Sequence, residues 1–289
     1  MYRVEKYSIL LKRYLIRYIE PLVRYFIKAK LFCVDVENNP PLIVLTMGKV
    51  GSTSVYKSLK KRLKNPVFHL HYLSDKGLEK AVEMRLSSKL KSYSYHLILS
   101  EELKKTGCDL SKLKYITIIR EPISRQLSSF FQNVGKLGSD LEGKDLRVDY
   151  ENALEYLMST MSFSDEAERV WFNREVRDII GIDVYGEEFD IIKGYEVYRS
   201  NSGGRLLLMR MEDMDKVFCD AIYKFLGQQK VLLRRYNEGS AKIYNKAYER
   251  LKKNVKFSAK EIDMLINTIF FTKFYIDYKK MLKDKWLLK

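Results

Sequence analysis

Hydrophobic and polar positions change period sharply near residue 46. Leu42-Ile43-Val44-Leu45 is an unbroken apolar run, and Val55, Leu59 and Leu63 then recur every four residues. The run predicts a buried strand and the recurrence a helix, joined by a glycine-bearing turn. Residues 67 to 72 alternate like a short strand, which places His69 and His71 on one face. Residues 75–90 read as a helix. Tyr95 to Leu99 read as another strand, with Ser100 capping a helix that Gly107 ends. Lys114 to Arg120 is a further apolar strand, and Glu121-Pro122 opens a helix with proline in its first turn. Leu206 to Met211 predicts a late strand, followed by a helix from Asp213 to Leu226.

The two ends differ from this alternation. Leu11, Leu15, Ile19, Leu22 and Phe26 give residues 1–31 an amphipathic helical pattern, which Pro21 kinks or divides. Residues 136–204 interrupt the rhythm with the loose glycines Gly135, Gly138 and Gly143 at their start. From Asn237 onward the chain reads helical, basic and aromatic. The expected architecture is one α/β domain over 1–289, with a central parallel sheet, flanking helices and a helical C-terminal layer. Within it, 1–38 form an N-terminal amphipathic segment and 136–204 an acceptor-side insertion.

Composition adds a sign. A formal net charge of +16 predicts an anionic partner. Arginines and lysines interleaved with Tyr7, Tyr14, Tyr18 and Tyr25 suit either a membrane interface or packing on the chain's own domain. The three cysteines, Cys33, Cys108 and Cys219, are widely spaced and form no metal or disulfide pattern, which fits a reducing compartment. No stretch reaches the ~18 apolar residues of a membrane span, and the start lacks a signal-peptide core. The expected location is cytoplasmic, with peripheral contact at the inner membrane face through residues 1–31.

Chemistry concentrates in the turn after the first strand, Thr46-Met47-Gly48-Lys49-Val50-Gly51-Ser52-Thr53-Ser54. Glycines let the backbone approach a ligand, the amides at a helix start attract anions, and Lys49 adds a cation. The triphosphate-binding P-loop requires lysine directly after its second glycine; here Lys49 precedes Gly51, with Val50 between. The order Lys-x-Gly-Ser-Thr instead resembles the 5′-phosphosulfate loop of sulfotransferases. A second motif agrees: Arg120-x-Pro122-x-x-Arg125-x-x-Ser128-x-Phe130 is similar to that family's 3′-phosphate motif. The resemblance covers residues 40–135 closely and continues through Arg210-Met211-Glu212-Asp213-Met214, which is like a late family segment.

That resemblance implies a three-layer, P-loop-like fold and 3′-phosphoadenosine 5′-phosphosulfate (PAPS) as donor, without a metal. It implies cofactor contacts at Lys49, Val50, Gly51, Ser52, Thr53, Ser54, Arg120 and Ser128, with Lys49 stabilising the leaving group. A hydroxyl acceptor needs a base. His71 is the first choice and His69 the second, Glu101 and Glu175 are weaker candidates, and His96 reads as structural. Trp171-Phe172-Asn173-x-Glu175, Gly181-Ile182-Asp183-Val184-Tyr185 and the later Asn237, Lys242 and Tyr244 resemble a bacterial family of capsular polysaccharide synthesis proteins. Trp171 and Phe172 are equally readable as core or as an acceptor-stacking pair. Departures exist: Ser54 stands where many small-molecule sulfotransferases have tryptophan, and no late Arg-Lys-Gly follows, so adenine contacts are unassigned. The resulting expectation is sulfuryl transfer to a carbohydrate hydroxyl, with no nucleic acid partner. A nucleotide-dependent kinase and a non-catalytic assembly scaffold are the alternatives.

Overall fold

The computed structural model describes residues 19–34, 39–87, 95–133, 150–227, 230–236 and 245–288. Its centre is a five-stranded sheet formed by β1 (Leu42–Leu45), β2 (Val67–Leu70), β3 (Lys114–Ile119), β4 (Tyr195–Arg199) and β5 (Arg205–Arg210), in the order β2-β1-β3-β5-β4. Four strands run parallel, whereas β4 pairs with β5 antiparallel. The sheet is therefore mostly parallel, as expected, but mixed, because of its edge strand β4. β4 lies inside the segment read as an insertion, and the short turn Ser200–Gly204 makes a parallel crossover impossible.

Alternation along the strands sorts side chains to two faces. Leu42, Val44, Val67, Ile116, Ile118, Leu207 and Met209 share one face with α2 (Ser52–Arg62) and α9 (Met214–Leu226). Ile43, Leu45, Phe68, Leu70, Tyr115, Leu206 and Leu208 face the larger core. That side is covered by a helix over 19–32 (α1), α3 (Asp75–Ser87), α4 (Tyr95–Lys104), α5 (Pro122–Asn133), α6 (Tyr150–Thr160), α7 (Glu166–Phe172) and α8 (Asp178–Ile180). The C-terminal α10 (Asn245–Asn254), α11 (Ala259–Ile266), α12 (Ile269–Phe274) and α13 (Lys279–Trp286) complete it. Burying both faces explains why these strands read as continuous apolar runs.

One further sequence expectation changes here. Residues 95–99 are helical, not extended: Ile98, Leu99 and Leu103 are buried together, a helical spacing, and Ser100 lies mid-helix with its hydroxyl on the Tyr72 and His96 carbonyls. Pro21 lies within the helix described over 19–32; residues 1–18 lie outside the described residues. In the described part of 136–204, Trp171, Phe172, Val176, Ile180 and Ile182 are buried in the large core.

The late Arg210-Met211-Glu212-Asp213 segment fastens the layers. Arg210, only 2% exposed, donates to Asp213 (2.5 Å), Asp277 (2.7 Å), the Phe274 carbonyl (3.1 Å) and the Ile191 carbonyl (2.6 Å). It thus joins β5 to the C-terminal layer and to the loop before β4. Removing one member of such a buried network leaves the others uncompensated. Arg210→Ala should lower the unfolding free energy by about 3–5 kcal/mol in urea titration; a loss below about 1 kcal/mol would show that the network is not structural.

Candidate active site

The order β2-β1-β3 reverses direction at β1, so a crevice opens beyond the carboxyl ends of β1 and β3. Two sequence-predicted motifs arrive there. In the loop after β1, Lys49 has φ 73° and Gly51 φ 77°. Lys49 is the only non-glycine with positive φ among the described residues, a conformation that costs a lysine about 1 kcal/mol. Gly51 is favoured by its left-handed φ, and a Cβ there would sit 3.0 Å from the Met214 methyl, which would have to shift slightly.

The helix that follows has an open start. No side chain caps α2 and its first turn holds no acid. α5, which starts at the same edge, contrasts with it: the Glu121 carboxylate accepts from the amides of Ile123 (2.7 Å) and Ser124 (3.0 Å). An internal anion satisfies the start of α5, whereas the start of α2 has no side-chain cap. Arg120 leaves β3 and its Nη1 donates to the Lys49 carbonyl at 3.0 Å, across 71 residues of sequence. The two motifs therefore meet.

Not every predicted contact gathers there. Ser52 is buried and Thr53 half-buried at the start of α2, and the Val50 side chain belongs to the core, so only its backbone faces the loop. Ser54 is turned away from the loop: its hydroxyl donates to the Tyr236 carbonyl (3.2 Å) and accepts from the Tyr236 amide (2.9 Å). Ser58 repeats this pattern with Arg234. Ser128 is half-buried on α5, and no hydrogen bond joins it to Arg120. Asn237, Lys242 and Tyr244 lie outside the described residues.

All three histidines of the chain cluster beside the loop. Ring centroids are 5.0 Å apart for His69–His71, 4.8 Å for His69–His96 and 4.8 Å for His71–His96. His71 Nδ1 lies 2.8 Å from the Thr46 carbonyl. A carbonyl only accepts, so Nδ1 carries the proton and Nε2 keeps a lone pair, the form a base requires. Burial, then the neighbouring His96 and Lys49 charges, push His71 down to about 4 against the pull of that hydrogen bond. His69 is pushed down to about 3, by burial first and then by His71 and His96. Stacked on Tyr56 and 7% exposed, it leaves Nε2 buried without a partner. Among the described residues, no group of three or more His, Cys, Asp or Glu is arranged to hold a metal ion.

Trp171 and Glu175 brace this end of β2. Trp171, buried, donates its indole N–H to the His71 carbonyl at 3.1 Å, so it belongs to the core. Glu175, fully buried in a π turn (Asn173–Arg177), accepts from the Leu73 amide (2.7 Å), the Ser74 amide (2.9 Å) and Arg174 (2.7 Å). It seats the start of α3, and a Cβ on Gly77 would lie 1.9 Å from its Oε1. Glu101 pairs with Arg24 of α1 at 2.9 Å. Both carboxylates are therefore tied into structural pairings. Sequence reasoning missed His96 as a cluster member because residues 95–99 were read as a strand; the recurrence of Ile98, Leu99 and Leu103 was the available signal.

The depressed histidines have a consequence for stability. Their folded values lie below the ordinary 6.5, so the unfolded chain binds more protons between those values. Stability is full above pH ~6.5 and falls as pH drops towards about 4. His69→Phe removes a titrating ring whose Nε2 has no partner and keeps the stack on Tyr56. It should leave the neutral-pH urea midpoint nearly unchanged and flatten the acid decline. An identical decline in the variant would place the acid sensitivity elsewhere.

Residues 145–276 match a family model described as "NKWYS: Putative capsular polysaccharide synthesis protein". The matched stretch contains Trp171 and Glu175, which hold the end of β2, and Arg210, which fastens the layers. No curated protein and no solved structure matches the chain.

Proposed function

We propose that the chain is a PAPS-dependent sulfotransferase acting on a carbohydrate hydroxyl, with a P-loop-like arrangement at the end of β1. The observation that carries this reading is the bond from Arg120 to the Lys49 carbonyl, which puts two phosphate-type motifs at one sheet edge. The family match over 145–276 favours a capsule or surface polysaccharide as acceptor. The uncapped start of α2 fits a bound phosphate: the amides of Val50 to Thr53, with the Ser52 and Thr53 hydroxyls, would hold the 5′ side. Arg120, with Ser128 further along α5, would hold the 3′-phosphate; Ser54 is not in this set because Tyr236 engages its hydroxyl.

In the transfer, the acceptor O–H gives its proton to His71 Nε2 as its oxygen bonds sulfur. The bond from sulfur to the phosphate oxygen breaks, and adenosine 3′,5′-bisphosphate (PAP) leaves. Lys49 places positive charge where negative charge grows on that leaving oxygen. Thr46 fixes the His71 tautomer, and Trp171 fixes its backbone. His69, sealed beneath Tyr56, supports the neighbouring ring.

Thermal-shift titration should give larger stabilisation by PAP than by ADP, without magnesium, and Arg120→Ala should weaken PAP by roughly 2 kcal/mol. Equal shifts with ADP, or a magnesium requirement, would overturn the reading in favour of a kinase. In radiolabelled sulfate transfer to a glycan panel, His71→Ala should lower turnover ~10²–10⁴-fold with PAP affinity retained. Lys49→Ala should depress turnover severely while keeping part of the PAP affinity. Near-normal turnover in either variant removes the role assigned to that residue.

We also propose peripheral contact with an anionic membrane through the first segment of the chain. α1 docks through Ile27 and Leu31, and through Arg24 on Glu101 (2.9 Å) and Glu102 (2.5 Å). Its other side presents Leu22, Tyr25 and Phe26 to solvent, at 54%, 67% and 62% exposure. No helix among the described residues is long and apolar enough to cross a membrane. Vesicles containing phosphatidylserine should float the parent chain, and a triple variant (Leu22→Gln, Tyr25→Gln, Phe26→Gln) should stay behind; equal flotation would reject this surface.

A further inference from the structure

The sheet carries a second concentration of charge at its opposite edge. Lys114 opens β3, Arg205 opens β5 and Arg199 closes β4. Lys114 pairs in register with Arg205, and Arg205 with Arg199. Paired residues on neighbouring strands share a face, here the face of α2 and α9, because Ile116, Leu207 and Tyr195 of the same strands pack there. Three cations thus stand side by side across three strands spaced ~4.8 Å apart. Like charges directly opposite one another destabilise a sheet.

No carboxylate offsets them: among the described residues, none of the three takes part in an ion pair within 4.0 Å. Arg205 is half-buried, its guanidinium lies 5.1 Å over the Phe225 ring, and its Nε is buried without a hydrogen-bond partner. Lys114 is half-buried and Arg199 exposed, so the row opens from the α9 end of the core to solvent. Burial and then the neighbouring cation lower both Lys114 and Arg205 from their ordinary values. A structural role would have brought an acid to this row, as Arg210 brings Asp213 and Asp277.

We propose that Lys114, Arg205 and Arg199 form a second anion site, for a sulfate or phosphate group, at the edge of the sheet opposite the β1 loop. A tetrahedral oxyanion offers acceptors to two guanidinium groups and an ammonium at once, and its charge relieves the repulsion among them. The group could arrive as a free ion or as an ester on a larger molecule.

The test compares the parent with Arg199→Gln and with the double variant Lys114→Gln, Arg199→Gln; Arg205 stays in place because it packs on Phe225. Melting is followed in sodium sulfate and in sodium chloride of equal ionic strength. Sulfate should raise the parent midpoint by about 4 °C. The double variant should rise by clearly less than the parent; binding at the β1 loop contributes equally to both proteins and cancels in the difference between them. Without sulfate, Arg199→Gln should melt at or above the parent temperature, because one repulsion is gone. A parallel arm with sucrose octasulfate separates the sources: a response to inorganic sulfate assigns a free ion, and a response to the octasulfate alone assigns an ester-borne group. An undiminished sulfate rise in the double variant, or a lower melting point of Arg199→Gln in chloride, would overturn the proposal.

Discussion

The molecule depends on how one buried positive charge is satisfied. Arg210 ends β5 inside the core, where an uncompensated guanidinium would be intolerable. Its partners come from 191, 213, 274 and 277, so the loop before β4 and the C-terminal layer must close around it. The neighbouring Glu212 passes the constraint on: it accepts from the Glu121 amide (2.9 Å) and the Tyr275 hydroxyl (3.0 Å). Glu121 in turn seats α5, and the residue before it is Arg120. The guanidinium that reaches the β1 loop is therefore placed by a network that begins on the neighbouring strand, β5.

The candidate site divides between two kinds of information. The loop around Lys49 and the Arg120-x-Pro122 turn were legible because their geometry is local: a strand, a tight turn and a helix start leave marks within a dozen residues. The braces were not legible. Trp171 on the His71 carbonyl, and Glu175 on the start of α3, act across about a hundred residues, and nothing in their own neighbourhood announces a partner. Residues 95–99 misled for a different reason. A short apolar run suits a buried strand or a buried helix equally, and burial between α1, α3 and β2 decided it. β4 was missed because a five-residue edge strand of mixed polarity carries too weak an alternation.

Two helix starts at the same sheet edge show how composition separates structure from chemistry. α5 brings its own carboxylate, and its amides are used up. α2 brings serines, a threonine and a lysine, with no acid in its first turn. The histidine cluster follows the same logic. Burial keeps His69 and His71 uncharged at neutral pH, so the cluster adds lone pairs to a region whose positive charge comes from Lys49 and Arg120.

The strap formed by 230–236 has a mechanical meaning. Ser54 and Ser58 lie one turn apart on α2, and each exchanges two hydrogen bonds with the strap's backbone, at Tyr236 and Arg234. Lys57 adds a cation over the Tyr236 ring at 4.7 Å. A helix held in this way cannot slide or tilt to suit an incoming ligand without breaking several contacts together. For the anion site proposed above at the β1 loop, the start of α2 is thus preorganised: the ordering cost of this helix is met during folding rather than on binding.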